Sequence, residues 1–327
     1  MDKNESCSWV EKYRPKCLDD VYSQEDVINP LKVGLKKKNI PHLIFFGPSG
    51  SGKTSTILAL GKELFGDLFS ERIIELNASD ERGINIVRGK IKRHAQYAIR
   101  EKKGKELPPW KIIILDEADT MTPDSQFALR RIMEEYSKIT RFCIICNYHN
   151  KIIDPIVSRC CLHRFRPIPN KLIIKRLESI CKAEKFKCNK KLLEKIVKIC
   201  RGDLRKAINF LQRCHNTLGD EINEALLDEI SGIIPTKTLV KLVDYALEKK
   251  SKKVDKYISD CVKDGYSLVN QITILSEILI NHDNIDSKEK SQIMIKLTEI
   301  DNNLIKGCDE YIQFMRLFYF IMSEKRI

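Results

Sequence analysis

The stretch His42-Leu-Ile-Phe-Phe-Gly-Pro-Ser-Gly-Ser-Gly-Lys-Thr54 runs from an apolar block into a glycine-rich turn. Leu43 to Phe46 reads as a buried strand. Gly47 to Thr54 spells G-x-x-x-x-G-K-T, and Ile57, Leu58, Leu60 and Leu64 follow with helical spacing. Strand, loop and helix in that order give the pattern its meaning as a phosphate-binding loop. Gly47, Gly50 and Gly52 let backbone N–H groups turn toward an anion at a helix N-terminus, where the helix dipole favours negative charge. Pro48, Ser49, Ser51 and Ser55 complete the nucleotide-binding set. Lys53 can reach the β- and γ-phosphates, and the Thr54 hydroxyl can ligate Mg²⁺. The expected ligand is ATP with Mg²⁺.

Ile112-Ile-Ile-Leu-Asp116-Glu117-Ala-Asp119 puts acids at the end of another buried strand. Asp116 there can hold Mg²⁺ partly through its water shell, opposite Thr54. Glu117, one residue on, is placed to polarise a water toward the γ-phosphate. The spelling Asp-Glu-Ala-Asp also suggests an RNA helicase, but no Ser-Ala-Thr motif follows and no second strand-rich motor domain is visible. Asn147 follows a further strand, at the same sheet edge as Asp116. It can orient the attacking water or sense the γ-phosphate, although alone it reads equally as a turn residue. Arg159 stands between a Pro turn and a short strand, a place where an arginine is ordinarily a surface cation. Gly202-Asp-Leu-Arg205 opens a helix that Asp203 can cap. Arg205 then points from its first turn, suited to a phosphate if that helix folds over the site. Arg88 and Lys92 lie four apart on one helix face, with Arg82 just upstream. Such a basic stripe can follow nucleic-acid phosphates without reading sequence, or simply be a solvated face.

The 327 residues exceed a comfortable single domain, and the 43% hydrophobic and 31% charged residues suit a soluble protein with a real core. No apolar run approaches the ~18 residues of a membrane span. The start Met1-Asp-Lys-Asn-Glu lacks a secretory apolar region, so an intracellular protein with no membrane association is expected. Twelve cysteines are scattered without paired metal-ligand spacing, which reads as small buried thiols. Of the net charge of +13, residues 230–327 carry only +1, so the positive excess lies in the N-terminal two-thirds and suggests a polyanionic partner there.

Apolar blocks at Arg72-Ile-Ile-Glu-Leu76, Lys111-Ile-Ile-Ile-Leu115, Arg141-Phe-Cys-Ile-Ile-Cys146 and, more briefly, Leu162 to Phe165 alternate with helical patterns at Ile84 to Ile99 and Gln126 to Tyr136. This predicts a parallel α/β sheet covered on both faces. Arg100 to Pro109 reads as a surface loop. Past Arg166-Pro-Ile-Pro169 the strand signals stop. Three helices are expected at Leu172 to Glu184, Lys191 to Cys200 and Leu204 to Cys214, followed by a break at Gly232 and Pro235 and helices to the end. The expected domains are residues 1–166, 167–231 and 232–327.

Trp9-Val-Glu-Lys-Tyr-Arg-Pro15, the phosphate loop, Glu75-Leu-Asn-Ala-Ser-Asp-Glu-Arg-Gly83, Leu115-Asp-Glu-Ala-Asp119, Ser158-Arg-Cys160 and Gly202-Asp-Leu-Arg205 occur in one order. Together they resemble the small subunits of replication factor C, the clamp-loader AAA+ ATPases. Glu63-Leu-Phe-Gly66, Pro108-Pro-Trp-Lys111 and Ile230-Ser-Gly-Ile-Ile-Pro235 look most like the eukaryotic fourth-subunit type. The resemblance runs from Trp9 to about Pro235 and is weak beyond. It implies a P-loop AAA+ core, a helical lid domain and a C-terminal all-α collar domain. It also implies ATP-driven opening and loading of the sliding clamp (PCNA) onto primer–template DNA, a heteropentamer with other replication factor C subunits, and a nuclear location. By the same resemblance Val10, Arg14 and Tyr22 line the adenine pocket, and Asn147 and Arg205 are the two sensors. Arg159 is then the arginine finger acting in trans, and Arg82, Arg88 and Lys92 track duplex DNA. A mainly structural ATP-binding subunit, a checkpoint or alternative loader, and a hexameric branch-migration motor are the rival readings. Ser49 and Ser51 replace the Pro and Thr usual in the family's phosphate loop.

Overall fold

Five apolar runs become five parallel strands in a computed structural model that describes residues 8–78, 87–97, 108–186, 188–218, 227, 230–267 and 269–323. They are β1 (His42–Phe46), β2 (Ile73–Asn77), β3 (Lys111–Asp116), β4 (Thr140–Cys146) and β5 (Cys160–Arg164), in the order β2-β3-β4-β1-β5. Every pairing is parallel, with Phe46 opposite Cys146 and Leu115 opposite Ile144. Helices α1 (Trp9–Lys12), α2 (Glu25–Lys36), α3 (Lys53–Phe65), α4 (Phe69–Arg72), α5 (Lys92–Gln96), α6 (Pro123–Glu135) and α7 (Asp154–Val157) accompany the sheet. Helices α8 (Asn170–Ala183), α9 (Lys190–Ile199) and α10 (Leu204–Leu218) follow it. Contacts divide the chain into two units, residues 1–220 and 221–327.

Strand side chains alternate between two buried layers, which is why the strands read as unbroken apolar runs. Leu43, Phe45, Ile112, Ile114, Cys143 and Ile145 pack with Val27 and Leu31 of α2 and Ile57 and Leu60 of α3. Ile44, Ile113, Leu115, Phe142 and Ile144 pack with Ala95 of α5, Leu129 and Ile132 of α6, and Ile156 of α7. Each Val, Leu, Ile or Phe among them, fully buried, contributes roughly 1.5–3 kcal/mol. A charge at Ile113 or Ile144 would remove that contribution and bury an unpaired ion.

Four expectations need correction. Arg72 ends α4 instead of starting β2; it is buried, and its Nη1 donates to the Pro108 carbonyl at 3.0 Å. The single helix expected from Ile84 to Ile99 is, in its described part, a π-helical turn at Val87–Ile91 and then α5, which ends at Gln96. Buried Lys111 donates to the Tyr97 carbonyl at 2.6 Å, engaging an acceptor that a continuing helix would use. The cysteines are not uniformly buried: Cys143, Cys146, Cys181, Cys200, Cys214 and Cys261 are, whereas Cys161 and Cys308 are exposed. Helix α6 starts three residues before the expected Gln126, because Pro123 occupies its first turn and Thr122 caps it by accepting from the Ser125 amide.

The second unit is helical: α11 (Thr236–Leu247), α12 (Ser251–Lys263), α13 (Ile272–Ile280), α14 (Ser287–Ile305) and α15 (Glu310–Ser323). Leu239, Val243, Val254, Leu275, Ile300, Phe314 and Phe318 form its core. No described helix is long and apolar enough to cross a membrane.

Candidate nucleotide-binding site

The strand order makes the site. Because β4 lies between β1 and β3, the segments leaving their carboxyl ends converge at one edge of the sheet. The phosphate loop leaves β1, Asp116 ends β3, and Asn147 follows β4. Gly52, at φ +96°, is the residue preceding α3 and lets the loop turn into that helix. Lys53 and Thr54 therefore sit in the helix's first turn.

Lys53 is buried, and its Nζ donates to the carbonyls of Gly47 at 2.8 Å and Pro48 at 2.9 Å and to Asn147 Oδ1 at 3.0 Å. Burial pushes the Lys53 ammonium below the ordinary lysine range, and Asp116 and Asp119 oppose that drift. The Thr54 hydroxyl donates to Asp116 Oδ2 at 2.7 Å. A hydroxyl and a carboxylate placed together are hard oxygen donors of the kind Mg²⁺ takes. The Asn147 backbone N–H donates to Asp119 Oδ2 at 3.3 Å, tying the β3 and β4 tips together. Glu117 adopts φ +53°, a left-handed conformation rare outside glycine, and its N–H donates to Asp116 Oδ1 at 2.8 Å.

A cleft opens over these residues. Its wall contains Val10, Arg14, Tyr22, Ser49, Gly50, Ser51, Gly52, Lys53, Thr54, Ser55, Asp116, Glu117, Asn147 and Arg205. Tyr13, Asp20, Ile168, Arg176, Leu204 and Ile208 also line it and went unnoticed in the sequence. Leu204 and Ile208 had a signal, an i, i+4 apolar pair flanking Arg205 on one helix; Arg176 had none. The Arg176 Nη2 donates to the Tyr13 carbonyl at 2.6 Å, and its guanidinium lies 5.7 Å from the Tyr22 ring centroid.

The N-terminal segment is fastened to the lid helices. The Trp9 amide donates to Gln212 Oε1 at 2.9 Å, and the Tyr13 hydroxyl donates to Glu184 Oε1 at 2.6 Å. Burial and the Glu184 carboxylate together push the Tyr13 phenol up to about 12. Asp203 caps α10 by accepting from the Lys206 amide at 3.1 Å, and the same carboxylate lies against Gly50. A Cβ on Gly50 would stand 2.2 Å from Asp203 Oδ1. Buried Gln24 ties the phosphate loop to the segment after β5, donating to the Arg166 carbonyl at 2.8 Å and to the Ser51 carbonyl at 3.4 Å.

Arg159 does not line this cleft. Its Nη2 pairs with Glu134 Oε1 at 2.5 Å and its Nη1 donates to the Pro155 carbonyl at 2.7 Å. Arg130 reaches the same Glu134 oxygen at 3.0 Å, and these arginines, Arg130 foremost, hold the Glu134 carboxyl below its usual range. Lys92 lies in α5, 3.8 Å from Glu135. Arg82 and the Arg88 side chain lie outside the described residues.

The sheet order, the phosphate loop and the acidic β3 tip define a P-loop ATPase of the AAA+ class. Residues 43–168 match the family of ATPases associated with various cellular activities (AAA), 175–214 match an AAA+ ATPase lid domain of the RCF1/5-like type, and 234–319 match the replication factor C C-terminal domain. Residues 1–82 also match the Rad17 P-loop domain. Replication factor C subunit 4 of Homo sapiens is 44% identical, across 97% of this chain and 88% of that protein. Replication factor C subunit 2 of Saccharomyces cerevisiae is 46% identical, across 94% of this chain and 91% of that protein. The chain belongs to the replication factor C family of clamp-loader ATPases, as a small subunit. Among solved structures, the Thermotoga maritima RuvB Holliday junction branch migration motor superposes with a TM-score of 0.53 over 73% of this chain and 80% of that one. At 17% identity that likeness concerns the fold alone.

Proposed function

We propose that this chain serves a heteropentameric loader with other replication factor C subunits, binding ATP with Mg²⁺ and acting on the sliding clamp PCNA and primer–template DNA in the nucleus. Lys53, the loop amides and Arg205 bind the phosphates, while Val10, Arg14 and Tyr22 bound the base. Thr54 and Asp116 hold Mg²⁺, partly through water; the ion supplies charge neutralisation on the phosphoryl oxygens. Glu117 takes the proton of the attacking water, and Asn147 orients that water. Arg159 completes the site of an adjacent subunit. Residues 1–166, 167–231 and 232–327 act as core, lid and collar. Exposed Ile295, Ile305 and Ile312, at 72%, 74% and 61% exposure, support an assembly role for the collar.

The observation that supports this reading is that Lys53, Thr54, Asp116, Glu117 and Asn147 line one cleft, whose lining does not include Arg159, paired instead with Glu134. The decisive experiment compares Lys53→Ala and Arg159→Ala in the purified assembly. Lys53→Ala should abolish ATP binding at this chain's site, whereas Arg159→Ala should leave that binding intact and lower DNA-stimulated turnover by about tenfold or more at the adjoining site. Full turnover and clamp loading in the Lys53→Ala assembly would overturn the proposal.

A further inference from the structure

The positive charge of this chain is uneven within its N-terminal two-thirds. Residues 170–214 hold fourteen Lys and Arg against four Asp and Glu, a net of +10 out of the chain's +13. The next fifteen residues, 215–229, contain five acids and neither Lys nor Arg. Residues 1–169 carry a net of +7 over a much longer stretch, so the positive charge is densest in the lid helices.

Helix α9 concentrates it. Leu192, Leu193, Ile196 and Val197 are buried, so the opposite arc faces solvent. Lys190, Lys191 and Lys198 lie exposed on that arc around a single exposed acid, Glu194, and Arg201 is exposed just beyond its end. Exposed Lys182 and Lys185 stand at the preceding turn. Two of the four lid acids are already engaged: Glu184 by Lys12 and Tyr13, and Asp203 by the Lys206 amide. From Lys190 to Lys198 the helix advances about 12 Å. Over that length duplex DNA carries on the order of seven phosphates.

We propose that the solvent face of α9, with its flanking basic residues, is a second binding track for the phosphate backbone of duplex DNA. It is separate from the Arg82, Arg88 and Lys92 segment of the core. A duplex fits better than a single strand. Single-strand binding needs aromatic platforms for unstacked bases, and no described Phe, Tyr or Trp within 170–214 is exposed: Phe186 is buried and Phe210 half-buried. Backbone contacts of this kind would hold DNA without sequence preference and with steep salt dependence.

The test is fluorescence anisotropy of the full chain with a labelled blunt duplex of about 20 base pairs, titrated across salt concentrations. The variant Lys190→Gln/Lys191→Gln/Lys198→Gln removes three exposed charges while keeping good helix formers, so its melting temperature should match the parent's. Its slope of log affinity against log salt should fall by about two to three, and its affinity at moderate salt by roughly 10- to 100-fold. A Lys92→Ala chain, measured in parallel, tests the core segment separately and should lose about one unit of slope. An unchanged slope in the triple variant would overturn the lid track whatever Lys92→Ala does. So would a single strand of equal length that binds as tightly as the duplex and loses as much in the triple variant.

Discussion

At Gly50 the phosphate loop and the lid come close enough for one methyl group to matter. The residue sits at φ +70°, and its missing Cβ leaves room for the Asp203 carboxylate that caps α10. Gly50→Ala should therefore incur left-handed backbone strain of about 1–2 kcal/mol and displace a cap worth about 1 kcal/mol. Denaturant melts should show a loss of roughly 2–3 kcal/mol, with weaker ATP binding. Adding Asp203→Ala should cost less than the sum of the two single changes, because the cap is already displaced; strict additivity would show that the contact is not coupled. No pattern of residues points to this contact. G-x-x-x-x-G-K-T explains Gly50 through the anion alone, whereas the neighbour that requires it lies 153 residues away. Glu117 is similar: its role follows from adjacency to Asp116, but its left-handed backbone appears only in three dimensions.

At the scale of elements, β1 and β4 meet at a histidine that must stay neutral. His42 Nδ1 accepts from the Phe142 amide at 3.1 Å, and burial, with Arg141 nearby, pushes its pKa down to about 4. An unfolded histidine titrates near 6.5, so the unfolded chain takes up this proton first as pH falls. Stability from neutral His42 is thus present above about pH 6.5 and is lost progressively down to about pH 4. The full loss is at most about 3 kcal/mol. Melts of parent and His42→Gln should diverge in pH dependence across this window, the variant lacking that share of the slope; parallel profiles would refute the assignment. Element types were legible wherever burial on both faces forced an unbroken apolar run, as in β1, β3 and β4. They were less legible where a single side chain decides the outcome. Lys111 takes the Tyr97 carbonyl at the end of α5, and Arg72 is drawn into the Pro108 carbonyl, so neither boundary could be read from periodicity.

For the whole molecule, the second unit has its own core but leaves Ile295 and Ile305 of α14 and Ile312 of α15 in solvent. If these side chains meet neighbouring subunits, Ile305→Asp/Ile312→Asp should change the free chain's melting by no more than about 0.5 kcal/mol per site. Native mass spectrometry of the assembly should then show this subunit depleted. An intact assembly would place the contacts elsewhere.

Glycine spacing, an apolar strand and acids at a second strand end were enough, from the sequence alone, to specify an ATP-hydrolysing P-loop core, because phosphate chemistry dictates those residue types locally. The convergence of Lys53, Asp116 and Asn147 was only implied until the order β3-β4-β1 placed their loops side by side. Arg176 on the cleft wall, Asp203 against Gly50 and Glu134 on Arg159 were decided by tertiary packing alone. Each of these contacts joins residues whose own neighbours in the chain carry no trace of the partner.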